Sequence, residues 1–116
     1  MPQGLGVDGR RAVRQQPPAG KIEVRHTAEG LVLLLSGDVD APVVNDLGTG
    51  HPLDLSHVVA VDVGEMTYID STGLSFLARW AQEAARAGRP AEIRRRTPRF
   101  DRVLEVAGLA PMFVPR

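Results

Sequence analysis

The chain predicts one α/β domain, a mixed but mainly parallel sheet covered by helices, and three observations lead there. An apolar run from Val58 to Val63 reads as a buried strand and passes through a short loop into a polar helix start at 70–72. From Leu74 the apolar residues recur at 77, 78, 81, 84 and 85, the spacing of one helical face. From Leu31 onward, strand-like and helix-like segments alternate, the pattern of crossover helices joining parallel strands. At 116 residues the chain has the size of a single domain with its own core.

Taken in order, residues 1–20 hold four Gly and three Pro without apolar periodicity and read as a disordered leader, leaving 21–116 as the folded domain. Lys21 to His26 alternates, with Ile22 and Val24 on one face, as an edge strand does. Ala28-Glu29-Gly30 is a turn, and Leu31 to Ser36 is a continuously apolar central strand, so the two strands form a hairpin. Gly37-Asp38-Val39-Asp40 ends it. Ala41 to Leu47 makes about two helical turns, with Pro42 tolerated near the start and Gly48, Gly50 and Pro52 stopping it early. After the Val58 strand comes the helix over 72–87, closed by Gly88 and followed by Pro90. Ala91 to Arg94 is a short strand with Ile93 inward. Thr97-Pro98 supplies an N-cap and a first-turn proline for a helix carrying Phe100, Val103, Leu104 and Ala107, which Gly108 closes. Leu109 to Val114 is a last short strand or a packed tail.

Asp70-Ser71-Thr72-Gly73-Leu74 is the stretch that the rest of the chain serves. Asp, Ser and Thr are the residue types whose side-chain oxygens satisfy the free N–H groups at a helix start, so Ser71 falls within one residue of that start. The segment VAVDVGEMTYIDSTGLSFL, with the Gly37-Asp38-Val39-Asp40 run before it, resembles the STAS domain of bacterial anti-sigma factor antagonists over residues 22 to about 113. The short first helix departs from that pattern, since the family usually shows three turns there.

The resemblance implies a STAS-like fold and a phosphorylation-controlled protein–protein switch without enzyme activity. Ser71 corresponds to the family's phosphoacceptor. The unmodified chain would bind an anti-sigma factor, often itself a serine kinase, and so free a sigma factor for transcription; a protein phosphatase would reverse the modification. Partner binding is then expected at Asp38, Asp40, Asp70, Thr72, Gly73 and Leu74. Phe76 and Trp80 share a stripe displaced from the Leu74–Leu77–Ala81 face, and are either packed under a neighbouring helix or exposed as an aromatic anchor beside Ser71. The alternatives are an accessory or scaffold STAS protein, in a stress-signalling or transport complex, whose Ser is unmodified, and a module that binds a small ligand or nucleotide.

If the strands are parallel as read, the loops 37–40, 70–73 and 94–99 share one sheet edge. Ser71 would then face acids on one side and Arg94, Arg95, Arg96 and Arg99 on another, where the arginines either compensate a phosphate or simply end a solvated strand. Residues 1–70 carry ten acids and five bases, and 71–116 four acids and nine bases, a polarity that suits a protein partner better than nucleic acid. Few aromatics stand near the arginines to stack on bases. There are no cysteines, and His26, His51 and His57 have no metal-ligand spacing, so neither a metal nor another cofactor is expected. No Walker loop or nucleophile elbow is present. The longest apolar runs are too short to span a bilayer and no secretion signal leads the chain, so the expected location is the cytoplasm.

Overall fold

The structure, a computed structural model, describes residues 20–47 and 53–114. Residues 1–19 of the expected leader, the Gly48–Pro52 stop and His51 therefore lie outside the described residues. Strand β1 (Lys21–Thr27) and strand β2 (Gly30–Val39) form the antiparallel hairpin, with Val24 opposite Leu33 and Ile22 opposite Leu35. Helix α1 (Ala41–Leu47) follows, and after a single 3₁₀ turn at Leu55–His57 the chain enters strand β3 (Val58–Ile69). Helix α2 (Ser71–Arg86), strand β4 (Glu92–Arg94) and helix α3 (Pro98–Ala107) complete the alternation. The sheet order is β1-β2-β3-β4, with β3 parallel to both its neighbours. This is the mixed, mainly parallel α/β domain that the alternation predicts.

Strand β3 is twice as long as the Val58–Val63 run, because Glu65 to Ile69 continues to pair with Ser36 to Val39. The sequence breaks the strand at Gly64, where the apolar run gives way to polar residues. The backbone does not break, since a register shift between Leu34 and Ser36 absorbs the irregularity and pairing resumes. A second shift, between Leu31 and Val32, changes the phase of burial early in β3: Val58, Ala60, Val61 and Val63 are buried and Val59 only half-buried.

Leu33, Leu35, Val61, Val63 and Ile93 share one hydrophobic cluster with Leu77, Trp80, Phe100 and Leu104 of the helices. Residues at alternate positions, Val32, Leu34, Asp62 and Arg94 among them, line a shallow concavity on the opposite face with Arg25, Thr27, Glu65 and Arg95. The C-terminal tail packs rather than pairs as a strand: Ala110–Met112 is a 3₁₀ turn, Phe113 is buried, and Val114 makes one bridge to Glu92.

The buried side of α2 corrects the sequence reading. Gly73, Phe76, Leu77, Trp80, Ala81 and Ala84 are buried, while Leu74 and Ala78 are half-buried and Ala85 is exposed. The helix is thus turned by roughly 70° from the expected face, less than one residue's step of 100°. The two largest side chains decide the rotation, because turning them inward removes far more apolar surface from water than burying Ala78 and Ala85 would. Trp80 is fully buried, its Nε1 donates to the Val58 carbonyl at 2.9 Å, and its ring stacks on Phe113 at 6.1 Å between centroids. Phe76 and Trp80 are core residues, and neither is an exposed partner anchor.

Candidate phosphoacceptor and partner site

Strands β2 and β3 run parallel and end together, Val39 beside Ile69, so the Asp40 and Asp70 turns meet at one edge of the sheet. Asp70 links them. It is the N-cap of α2, its Oδ1 accepting from the Gly73 N–H at 2.9 Å, while its Oδ2 accepts from the Ala41 N–H at 3.2 Å. Its own N–H donates to the Val39 carbonyl at 3.2 Å. One carboxylate therefore holds the first turns of both helices. Asp40 accepts from the Val43 N–H at 3.4 Å, and Asp38 from the Thr67 hydroxyl at 3.1 Å.

Gly73 sits where the two turns touch. A Cβ at this position would stand 2.7 Å from the Val39 carbonyl oxygen and 2.6 Å from Ile69 Cγ1, closer than any side chain tolerates. Ser71, the first residue of the helix, points to solvent beside this junction and is exposed; Thr72 and Leu74 are half-buried. The structure thus brings together Asp38, Asp40, Asp70, Ser71, Thr72, Gly73 and Leu74 and leaves out Phe76 and Trp80. Gly73, being buried, acts through backbone packing.

The third expected loop is only partly at this edge. Strand β4 ends with Arg94 level with Asp62, and β3 continues seven residues further to Ile69, roughly 20 Å at strand rise. Arg94, Arg95 and Arg96 are moreover engaged: Arg94 with Glu92 at 2.9 Å and Glu29 at 3.7 Å, Arg95 with Asp62 at 2.8 Å and Glu65 at 3.2 Å, Arg96 with Asp101 at 2.7 Å. The Asp62 carboxylate holds the Arg95 guanidinium above its ordinary pKa, and Glu92 does the same for Arg94. These three arginines are strand-end ion pairs, not groups aimed at Ser71.

Two features carry no sequence signal. One is the second bond of Asp70, to Ala41, which depends on two turns 29 residues apart meeting in space. The other is a groove between the end of β3 and α3, lined by Met66, Tyr68, Ile69, Arg99, Phe100 and Val103 among others. Among the described residues no group of three or more His, Cys, Asp or Glu is placed to hold a metal ion, and no helix is long and apolar enough to cross a membrane.

The family model described as "Mlab, STAS domain" matches residues 22–115. The chain belongs to that family. Among solved structures it is similar to the anti-sigma factor antagonist SpoIIAA in its unphosphorylated form, at TM-score 0.57 and 16% identity over 72% of this chain and 81% of that one. It is also similar to the phosphorylated form of SpoIIAA, a Bacillus cell fate determinant, at TM-score 0.58 and 19% identity over 84% of this chain and 91% of that one. At these identities the likeness is one of fold. No curated protein matches the chain by sequence.

Proposed function

We propose that the protein is an anti-sigma factor antagonist, a non-enzymatic cytoplasmic switch whose unmodified form binds an anti-sigma factor and whose Ser71 is phosphorylated by that partner and restored by a phosphatase. The observation that carries the reading is the exposed Ser71, the first residue of α2, in an acidic neighbourhood, with Arg94, Arg95 and Arg96 engaged by carboxylates elsewhere. A phosphoserine brings roughly −1.5 to −2 charges at pH 7. The helix N-terminus favours such charge by ~0.3–1 kcal/mol, so the fold tolerates the modification. Asp38, Asp40 and Asp70 add like charge. In the free protein water screens the repulsion; under a partner that excludes water it grows, and the complex weakens. The likeness to a protein of this fold known in phosphorylated and unphosphorylated forms supports the same reading.

The test incubates the chain with the anti-sigma factor kinase and ATP, maps the modified residue, and measures binding before and after. Ser71→Ala binds and resists phosphorylation, Ser71→Asp binds poorly, and Thr72→Ala is still modified at Ser71. Phosphate on Thr67 or Thr72, or full affinity of Ser71→Asp, overturns the assignment. One second reading is an accessory STAS subunit whose Ser71 stays unmodified. Absence of modification in the same assay selects it.

A further inference from the structure

The groove between the end of β3 and α3 adjoins the Ser71 turn through a single side chain. Ile69 lines the groove and also packs against Gly73, two residues beyond Ser71. The groove encloses about 150 Å³, a volume on the scale that accommodates a benzene-sized group, and Ile69, Phe100 and Val103 give it an apolar floor. Val106 extends the same helical stripe one turn past Val103 and is 81% exposed, and Tyr68 on the facing strand is 56% exposed. An apolar strip of this kind, continuous from a pocket onto a helix surface, suits the apolar face of an amphipathic segment.

Charge says which segment. Arg94, Arg95 and Arg96 all have carboxylate partners, whereas Arg99 and Arg102, which flank the strip on α3, have none among the described residues. Asp101 is taken by Arg96 on the other side of the helix. At the far end of the strip stand Asp38, held by Thr67, and the Asp40–Asp70 turn. The surface is therefore apolar along its length, basic on the α3 side and acidic at the Ser71 end.

Resting on the switch reading above, we propose that this groove receives an amphipathic helix of the anti-sigma factor, its apolar residues seated over Ile69, Val103 and Val106 and its carboxylates paired with Arg99 and Arg102. The groove is then a second footing beside Ser71, and through Ile69 and Gly73 it shares its wall with the phosphoacceptor turn.

The experiment measures affinity of the purified anti-sigma factor for the wild-type chain and for Arg99→Glu, Arg102→Glu, Val106→Glu and Ser71→Asp, at two salt concentrations. Arg25→Glu, on the opposite sheet face, controls for net charge. The three groove substitutions lie at exposed positions and leave the fold intact, which circular dichroism and melting check. Each is expected to weaken binding tenfold or more, with Arg25→Glu unchanged and the salt dependence reduced in the arginine variants. A photo-crosslinker at position 106 is expected to label a partner segment with apolar residues at helical spacing and flanking Asp or Glu. If Ser71→Asp weakens the complex while all three groove variants bind as wild type, the groove proposal falls and the switch stands. If the wild-type chain binds no anti-sigma factor, both fall. A self-associated chain that Val106→Glu dissociates assigns the groove to a second copy and likewise overturns the proposal.

Discussion

Gly73→Ala is a substitution for which local and tertiary physics give opposite signs. In an isolated helix, Ala is favoured over Gly by ~1 kcal/mol. In the folded protein the added methyl would stand 2.7 Å from the Val39 carbonyl oxygen and within 3.0 Å of two Ile69 carbons. The carbonyl cannot withdraw freely, because it accepts the Asp70 N–H, and Ile69 is itself only 8% exposed. Forcing a methyl into a packed site costs ~1–3 kcal/mol, and with a backbone carbonyl as the obstacle the cost here is about 2–3 kcal/mol, so after the propensity gain the net loss is about 1–2 kcal/mol. At ~4–8 °C per kcal/mol for a domain of this size, Tm falls by about 5–15 °C. Urea and thermal unfolding measure it, and a peptide spanning residues 70–87 provides the contrast, since there the same substitution raises helicity. A Gly73→Ala protein as stable as wild type, with an unchanged denaturant slope, would refute the close approach of the two turns.

The remaining expectations concern neighbouring residues. Trp80 is buried in the free protein, so its emission is blue-shifted before any partner is added, and Trp80→Ala loses ~3–5 kcal/mol; a water-like emission would contradict the packing. Trp80→Phe keeps most of the volume but leaves the Val58 carbonyl without its indole donor, for ~1–3 kcal/mol by chemical denaturation. Asp70→Ala removes a cap and the tie to Ala41 together, for about 2 kcal/mol, and Asp70→Asn loses part of that because its amide NH₂ must face one of the two N–H donors. Ser71→Ala changes stability by less than ~0.5 kcal/mol, since Asp70 and not Ser71 is the cap; a larger loss in the melting curve would reassign the capping role.

The local signals in the chain carried a large part of the fold. Thr97 with Pro98 starts α3, its hydroxyl accepting from the Phe100 N–H, and Gly108 ends it in the left-handed conformation, because caps and first-turn prolines act over three or four residues. Gly88 closes α2 in the same way, and the Lys21–Ser36 hairpin follows from alternation across a short turn. The DSTG stretch by itself placed Ser71 at the opening of a helix.

What needed the tertiary structure was every feature set by a distant partner. The rotation of α2 depends on the cavity that β3 and Phe113 leave for Phe76 and Trp80, and a helical wheel drawn from one segment contains neither. The polar second half of β3 is a strand because Ser36 to Val39 pair with it, although its own residues offer no apolar run. The three arginines at 94–96 are drawn off by acids from Glu29 to Asp101, so their charge is spent away from Ser71. Parallel topology alone does not bring strand ends level: Arg94 ends level with the middle of β3, Ser71 lies past its end, and only the register and lengths of the strands fix that separation.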